Sequence, residues 1–179
     1  TDINSCSIGI EIANPGHDNG YPDFPRRQIA AVAALCRAIL RRRAIRADRV
    51  LAHSDTAPSR KRDPGEKFPW MVLHRSGVGH WVKPAPVVAG PSFELGDSGH
   101  AIQNFQAALR DYGYGLPVDG QFDEMTRDAV LAFQRHFRPA LCDGRLDSST
   151  LITLRSLVEA LRNGRQPTIG RSVGFAPRP

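Results

Sequence analysis

The chain has 179 residues, of which 41% are hydrophobic, and its formal net charge is +6. This length allows one or two domains with real cores, and the apolar content excludes an intrinsically disordered chain. No apolar run is long enough for a transmembrane helix, and no signal peptide is visible. The sequence therefore predicts a globular protein.

The positive charge is concentrated towards the amino terminus. Residues 1–83 carry a net charge of +6, residues 84–162 carry −3, and residues 163–179 carry +3. A basic first half suggests an anionic partner such as nucleic acid or an acidic polymer. The densest basic run, Arg41 to Arg43, is more simply explained as the end of a helix, where cations suit the helix dipole. No helix-turn-helix or zinc-finger spacing is present, so we expect no nucleic-acid partner.

Residues 6–14, CSIGIEIAN, alternate isoleucines with small or polar residues. This period of two predicts a strand with one buried face. Glu11 then lies on the face opposite the isoleucines. There it is either an ordinary solvent-facing residue or a charge that points into a site.

A helix is predicted next, over residues 26–45, because Ile29, Val32, Ala33 and Cys36 recur at helical spacing. Cys36 is therefore expected in the core. Residues 50–52 are apolar and predict a second buried strand, which leads directly to His53.

Residues 53–70, HSDTAPSRKRDPGEKFPW, form a polar loop that concentrates groups with useful chemistry. His53 and Asp63 are of the types that bind catalytic zinc. Hydrolysis also needs a carboxylate that is not a ligand, for which Glu11 is a candidate, and Lys61 could stabilise a developing oxyanion. The spacing alone also allows an ordinary polar surface loop.

Aromatic residues and further histidines near this loop have simpler interpretations. Phe68 and Trp70 could line a sugar subsite, but core packing beneath the loop is the preferred interpretation. His136 and the remaining histidines are interpreted as surface or packing residues, with His17 the one whose loop could border a cleft.

The later half of the sequence contains an internal repeat. DGQFDEMT at residues 119–126 and DGRLDSST at residues 143–150 are 24 residues apart. Each predicts an Asp-Gly turn followed by an aspartate that caps a helix. With an earlier helix at about residues 98–112, they predict a small three-helix domain over 94–162. Residues 84–93 are predicted to be a linker, and residues 163–179 a flexible tail.

Together, the strand SIGIEIAN and the loop sequence resemble the zinc-dependent N-acetylmuramoyl-L-alanine amidases of the AmpD/AmiD kind. The segments FQAALRDYGY, VDGQFDEMTRDAVLAFQRHF and CDGRLDSSTLITL resemble a peptidoglycan-binding domain. The resemblance covers residues 3–162 and is nearest to the AmiD type. It implies an α/β (α+β) fold, with a mixed β-sheet amidase domain flanked by helices over residues 1–83, followed by the three-helix domain.

The resemblance also implies a function. It implies zinc-dependent hydrolysis of the amide bond between N-acetylmuramic acid, or its anhydro form, and L-alanine in peptidoglycan or muropeptides. By the same resemblance His53 and Asp63 bind Zn2+, Glu11 acts as the general base and Lys61 assists the oxyanion. The implied location is the periplasm, with association to the outer membrane left open.

One feature of the family pattern is absent. The family's first zinc ligand is a histidine on an earlier strand, which is expected upstream of Thr1. We therefore expect this chain alone not to hydrolyse the amide, and a separate N-terminal fragment of the same protein is a candidate partner. The alternative function is a non-catalytic module that recognises peptidoglycan or muropeptides.

Overall fold

The computed structural model describes residues 3–165, except for the side chains of Asn4 and Arg165. We call residues 3–83 the first part and residues 94–165 the second part. The described α-helices are α1 (Arg26–Arg42), α2 (His53–Thr56), α3 (Trp70–Arg75), α4 (His100–Tyr112), α5 (Glu124–Phe137) and α6 (Ser148–Arg165). Short 3-10 helices span Ile3–Cys6, His17–Asn19 and Ala47–Arg49. Among the helices described, none combines the length and apolar character needed to cross a bilayer.

The predicted mixed β-sheet is wrong for the part of the chain that the structure describes. Neither predicted strand, residues 6–14 or 50–52, has strand structure. β-pairing within residues 3–165 is limited to two isolated bridges, Phe93 with Leu146 and Ser98 with Gln121. A strand needs a neighbouring segment to complete its backbone hydrogen bonds, and no described segment pairs with residues 8–12. The described architecture is therefore helical.

The alternating segment nevertheless has a partly buried side. Ile10 and Ile12 pack against the core of the first part, whereas Glu11 is exposed and Ile8 is 54% exposed. The alternation therefore indicates which side of this segment faces the core, but not its secondary structure.

Helix α1 confirms the predicted helix, although it ends at Arg42 instead of residue 45. Its buried residues are Ile29, Val32, Ala33 and Cys36, as the helical spacing predicts. Burying a large aliphatic side chain contributes about 1.5–3 kcal/mol. The stripe therefore anchors α1 in the first core cluster, whose other buried members are Ala52, Phe68, Trp70, Leu73 and Val78.

The second part confirms the predicted three-helix arrangement, formed by α4, α5 and α6. Its core contains Ile102, Phe105, Leu109, Tyr112, Tyr114, Leu116, Phe122, Ala129, Val130, Ala132, Phe133, Phe137, Leu146, Leu154 and Leu157. Because α6 continues to Arg165, the predicted flexible tail starts too early. The rest of that tail, residues 166–179, lies outside the described residues.

A buried glutamine organises the first copy of the internal repeat. The side-chain oxygen of Gln106 accepts hydrogen bonds from the backbone N–H groups of Asp119 (3.1 Å) and Gly120 (2.8 Å). Its side-chain nitrogen donates to the carbonyl of Gln121 (2.9 Å) and the hydroxyl of Thr126 (3.0 Å). One side chain thereby ties the Asp-Gly turn to α4 and α5.

The second copy uses the same device. Gln134 accepts from the N–H of Gly144 (2.9 Å) and donates to the carbonyl of Arg145 (2.9 Å) and the hydroxyl of Thr150 (3.3 Å).

The predicted helix caps are also confirmed, because Asp123 and Asp147 accept backbone hydrogen bonds at the starts of α5 and α6. The repeat in the sequence is thus a repeat of one hydrogen-bond pattern.

The two parts are in direct contact. Trp81 packs against both core clusters. The predicted linker lies along α6: Ala85 donates its backbone N–H to Thr153 (3.0 Å), and its carbonyl accepts from the hydroxyl of Ser149 (2.8 Å). The polar loop of the first part also contacts the second part, through Asp55.

Candidate active site

Two of the predicted site residues meet on the polar loop. His53 is the first residue of α2, and its Nδ1 lies 2.9 Å from Oδ2 of Asp63. The backbone supports this approach, because the N–H of Ser54 donates to the carbonyl of Asp63 at 3.0 Å. The two side chains are 50% and 62% exposed, so both are accessible from solvent.

Tyr21, which the sequence did not single out, holds the turn after Asp63. Its hydroxyl donates to the carbonyl of Pro64 (2.7 Å) and accepts from the N–H of Lys67 (2.9 Å). Burial raises the pKa of Tyr21 to about 12. Gly65 has φ of 83°, and a side chain there would collide with the Tyr21 ring. Glycine is therefore required at this position for both its backbone conformation and its size.

His17 supports the same turn from the side. It stacks on Tyr21 with 4.1 Å between ring centroids, and its Nε2 lies 3.0 Å from Oε2 of Glu66. Burial would raise the pKa of Glu66, but the hydrogen bond with His17, a backbone hydrogen bond and the nearby charges of His17 and Arg135 together lower the pKa below its usual value. The loop that contains His17 therefore borders the candidate site and braces it.

Glu11 and Lys61 form no hydrogen bond or ion pair with His53 or Asp63. Glu11 is exposed in the irregular segment after the first 3-10 helix, and Lys61 is half-buried with its backbone N–H bonded to Ala57 (3.0 Å). Neither side chain forms a hydrogen bond or ion pair with another described residue. Their predicted roles as general base and oxyanion donor therefore stay predictions.

The donor set fits part of a zinc site. An imidazole and a carboxylate are ligand types that zinc takes, and catalytic sites use three protein ligands. His53 and Asp63 supply two such donors in contact and open to solvent. Within residues 3–165 there is no group of three or more His, Cys, Asp or Glu side chains that could hold a metal.

A second polar cluster lies behind the loop. Asp55, two residues after His53, binds His136 of α5, with 2.6 Å between Oδ2 and Nδ1. The side chains of Asp55 and His136 are 4% and 2% exposed. The sequence interpretation of His136 as a packing or surface residue missed this pair. Its place between buried residues of α5 could have revealed its burial, but not its partner on another helix.

The aromatic residues of the loop belong to the core. Phe68 is 3% exposed and Trp70 is 7% exposed. Their rings pack against each other with centroids 4.8 Å apart, and Trp70 also stacks on His136 at 3.8 Å. The preferred interpretation as core residues is confirmed, and neither presents a face to a sugar.

A groove lies between the loop and the second part. Its volume is about 250 Å³, and its walls include Thr56, Pro58, Arg60, Tyr114, Met125 and Asp128. Residues 56–60 separate the two donors His53 and Asp63 along the chain. The groove is therefore lined by the loop segment that connects the two donors and by the second part.

Residues 3–165 form a helical arrangement in two parts, with a solvent-facing His–Asp pair on a loop braced by the second part. Residues 1–66 match the family described as N-acetylmuramoyl-L-alanine amidase, and residues 98–154 match the peptidoglycan binding domain family. The chain is 36% identical over 168 residues to the N-acetylmuramoyl-L-alanine amidase AmiD of Escherichia coli K12, covering 89% of this chain and 59% of AmiD.

Solved structures agree with the sequence matches. The crystal structure of AmpDh3 from Pseudomonas aeruginosa aligns with a TM-score of 0.72 and 33% identity, over 90% of this chain and 65% of that one. E. coli AmiD, in complex with the substrate anhydro-N-acetylmuramic acid-L-Ala-D-gamma-Glu-L-Lys, aligns with a TM-score of 0.64 and 32% identity, over 78% of this chain and 54% of that one.

The comparisons show that the chain is similar to AmpD/AmiD-like muramoyl-alanine amidases with a peptidoglycan-binding domain, which confirms the resemblance predicted from the sequence. The chain spans less than two thirds of the length of AmiD and of AmpDh3. The comparisons give no support for the predicted partnership with a separate N-terminal fragment.

Proposed function

We propose that this chain carries the His53–Asp63 half of a zinc amidase site that cleaves the bond between N-acetylmuramic acid and L-alanine. The observation that carries the proposal is the 2.9 Å contact between His53 and Asp63, two zinc-type donors within the residues that match the amidase family. Their exposure leaves room for a metal and a substrate beside them.

In this proposal His53, Asp63 and a third ligand hold the zinc ion. A zinc ion held by His53, Asp63 and a third ligand would polarise the scissile carbonyl and lower the pKa of a bound water. We propose that the third ligand is a histidine upstream of Thr1, since the described residues contain no group of three donors. His53 and Asp63 are then the ligands that this chain contributes.

Glu11 and Lys61 supply proton transfer and charge stabilisation in this proposal. Glu11 accepts a proton from the attacking water as its oxygen bonds to the carbonyl carbon of the lactyl group. Lys61 donates to the developing oxyanion. The carbon–nitrogen bond then breaks, and Glu11 returns the proton to the amine of L-alanine. The products are the free lactyl carboxylate and the free stem peptide.

Muropeptides are the proposed substrates, with peptidoglycan as the partner of the second part. The groove of about 250 Å³ that the loop shares with the second part supports this, because its walls carry both apolar and charged side chains. Arg60, in its wall, suits a carboxylate of a stem peptide. The match of residues 98–154 to the peptidoglycan binding domain family supports the second half of the proposal. Such a substrate would place the protein in the cell envelope, and we propose the periplasm.

A recognition module without catalysis is the second candidate. The absence of a three-donor group among the described residues favours it, because a site with two protein donors binds zinc weakly. The two candidates make opposite predictions for bond cleavage but the same prediction for muropeptide binding.

The test compares the wild type, Glu11→Gln and Glu159→Gln, each with the upstream segment restored. Zinc content is measured by mass spectrometry, and release of stem peptide from an anhydro-muropeptide is followed by chromatography. We expect all three forms to contain bound zinc. Relative to the wild type, kcat of Glu11→Gln should fall by about 10²–10⁴-fold, as expected when a general base is removed. Glu159→Gln, at an exposed carboxylate of α6, is the matched control and should retain full activity.

Binding of the muropeptide without any release by the restored wild type would favour the recognition module. A Glu11→Gln variant as active as Glu159→Gln would remove Glu11 from the proposed chemistry.

A further inference from the structure

The buried carboxylate of Asp55 receives three hydrogen bonds. Its Oδ2 accepts from the backbone N–H of Ala52 (2.8 Å) and lies 2.6 Å from Nδ1 of His136. Its Oδ1 accepts from the hydroxyl of Tyr114 at 2.7 Å. A carboxylate can only accept, so Nδ1 of His136 donates. Two of the three donors therefore come from the second part, although Asp55 lies on the loop of the first.

Asp55 is connected to His53 through the backbone. It sits in the single turn of α2, which begins at His53, and its carboxylate accepts the N–H of the residue just before that turn. The N–H of Ala57 closes the turn on the carbonyl of His53 at 3.1 Å. Fixing the Asp55 side chain therefore fixes the turn from which the His53 imidazole projects.

His136 is itself held in one orientation. Its ring stacks on Trp70 with 3.8 Å between centroids and 23° between planes, and on Phe137 at 3.8 Å and 6°. With 2% of the side chain exposed, the ring cannot turn without disturbing both cores. The donor to Asp55 is therefore pre-oriented by packing and does not depend on solvent.

We propose that Tyr114 and His136 are positioning residues for the candidate zinc site, acting on His53 through Asp55. The inference rests on the proposed amidase function. It assigns the second part a role in the chemistry of the first, separate from any binding of peptidoglycan. Residues that orient a metal ligand from behind typically affect metal affinity by about 10–100-fold.

The chain offers a matched pair of substitutions. Tyr114→Phe removes the hydroxyl that donates to Asp55, whereas Tyr112→Phe removes a hydroxyl at the same interface that lies 2.8 Å from Nδ1 of His80. Both tyrosines are buried, at 5% and 4% exposure. The two variants therefore differ mainly in whether Asp55 loses a donor.

Two measurements on the 179-residue chain are used. The first is the ¹⁵N chemical shifts of the His53 imidazole at fixed pH without metal, and the second is Zn2+ affinity from competition with a chelator. For Tyr114→Phe we expect shifted His53 signals and about tenfold weaker Zn2+ binding. For Tyr112→Phe we expect both to match the wild type.

His136 provides a second test. His136→Leu removes the donor and should weaken Zn2+ binding by about 10–100-fold. His136→Asn keeps an N–H group near the place of Nδ1 and should recover most of the affinity. Tyr114→Phe retains nearly all of the packing, so the proposal stays testable even if His136→Leu fails to fold.

Unchanged His53 signals and Zn2+ affinity in Tyr114→Phe, or equal losses in Tyr112→Phe, would overturn the positioning role. If the wild type binds no Zn2+ through His53 even with the upstream segment restored, the proposed function fails instead. The His53 signals of the two tyrosine variants still decide the positioning role in that case.

Discussion

The first part exposes its chemically useful side chains on a loop, whereas the second part buries its polar side chains inside hydrogen-bond networks. His53 and Asp63 are at least half exposed, but Gln106 and Gln134 are almost fully buried. A buried polar group must find its partners within the fold, and the hydrogen-bond partners of Gln106 and Gln134 all lie within the second part. The loop of the first part has no such network of its own. It takes its order from Tyr21 on one side and from the second part on the other.

The largest difference between the two parts is expected at alkaline pH, where their tyrosines should ionise at different pH values. Burial raises the pKa of Tyr21 to about 12. The pKa values of Tyr112 and Tyr114 are raised above that of Tyr21, mainly by burial and to a smaller extent by the nearby negative charge of Asp55. The folded pKa values exceed the unfolded value of about 10, so this stabilisation is complete below pH 10 and is lost as pH rises.

Phenolate absorbance near 295 nm, recorded against pH with circular dichroism, tests this. We expect no tyrosine to ionise near pH 10, one to ionise at about pH 12, and the remaining two to ionise only together with unfolding. A tyrosine that ionises near pH 10 while the circular dichroism remains native would contradict the comparison.

Among the single substitutions considered, replacing one of the buried glutamines of the repeat should lower the free energy of unfolding the most. Gln134→Leu leaves the N–H of Gly144 and the carbonyl of Arg145 without their partner. An unsatisfied buried group costs about 1–3 kcal/mol, so we expect the free energy of unfolding to fall by about 3 kcal/mol. Urea denaturation measures it.

The control for this prediction is Gln121→Leu, because the Gln121 side chain is exposed. It should change the free energy of unfolding by less than about 0.5 kcal/mol. Equal effects of the two substitutions would mean that the buried glutamines do not organise the repeat.

Tyr21→Phe should have a smaller effect on stability and a local effect on the loop. It removes two hydrogen bonds, to the carbonyl of Pro64 and from the N–H of Lys67, while retaining the ring. At about 1 kcal/mol for a typical bond we expect a loss of about 1–2 kcal/mol in the free energy of unfolding. Hydrogen exchange should quicken at residues 63–67 and stay unchanged in α4 to α6. Uniformly faster exchange would contradict a local role for Tyr21.

The sequence predicts the second part better than the first for a physical reason. Helical periodicity and the Asp-Gly turns are local, so α1 and the three-helix arrangement follow from spacing alone. The strands predicted around Glu11 and at residues 50–52 depend on pairing with another segment, which alternation cannot specify. In the site, the loop motif identified His53 and Asp63, which the structure brings into contact. Tyr21, Tyr114 and His136 were missed because each acts on a residue distant in sequence.

The smallest effect is expected at the surface pair formed by Arg62 and Asp18, which lies between the loop and the His17 segment. Its atoms are 2.7 Å apart, but the side chains are 52% and 82% exposed. Exposed ion pairs contribute about 0–1 kcal/mol, since solvent and salt screen them. Arg62→Ala should therefore lower the free energy of unfolding by less than about 0.5 kcal/mol, and this loss should vanish in 0.5 M salt. A larger, salt-independent loss would show that this ion pair holds the loop in addition to Tyr21 and Asp55. The contrast between exposed polar side chains in the first part and buried ones in the second would then not explain how the loop is ordered.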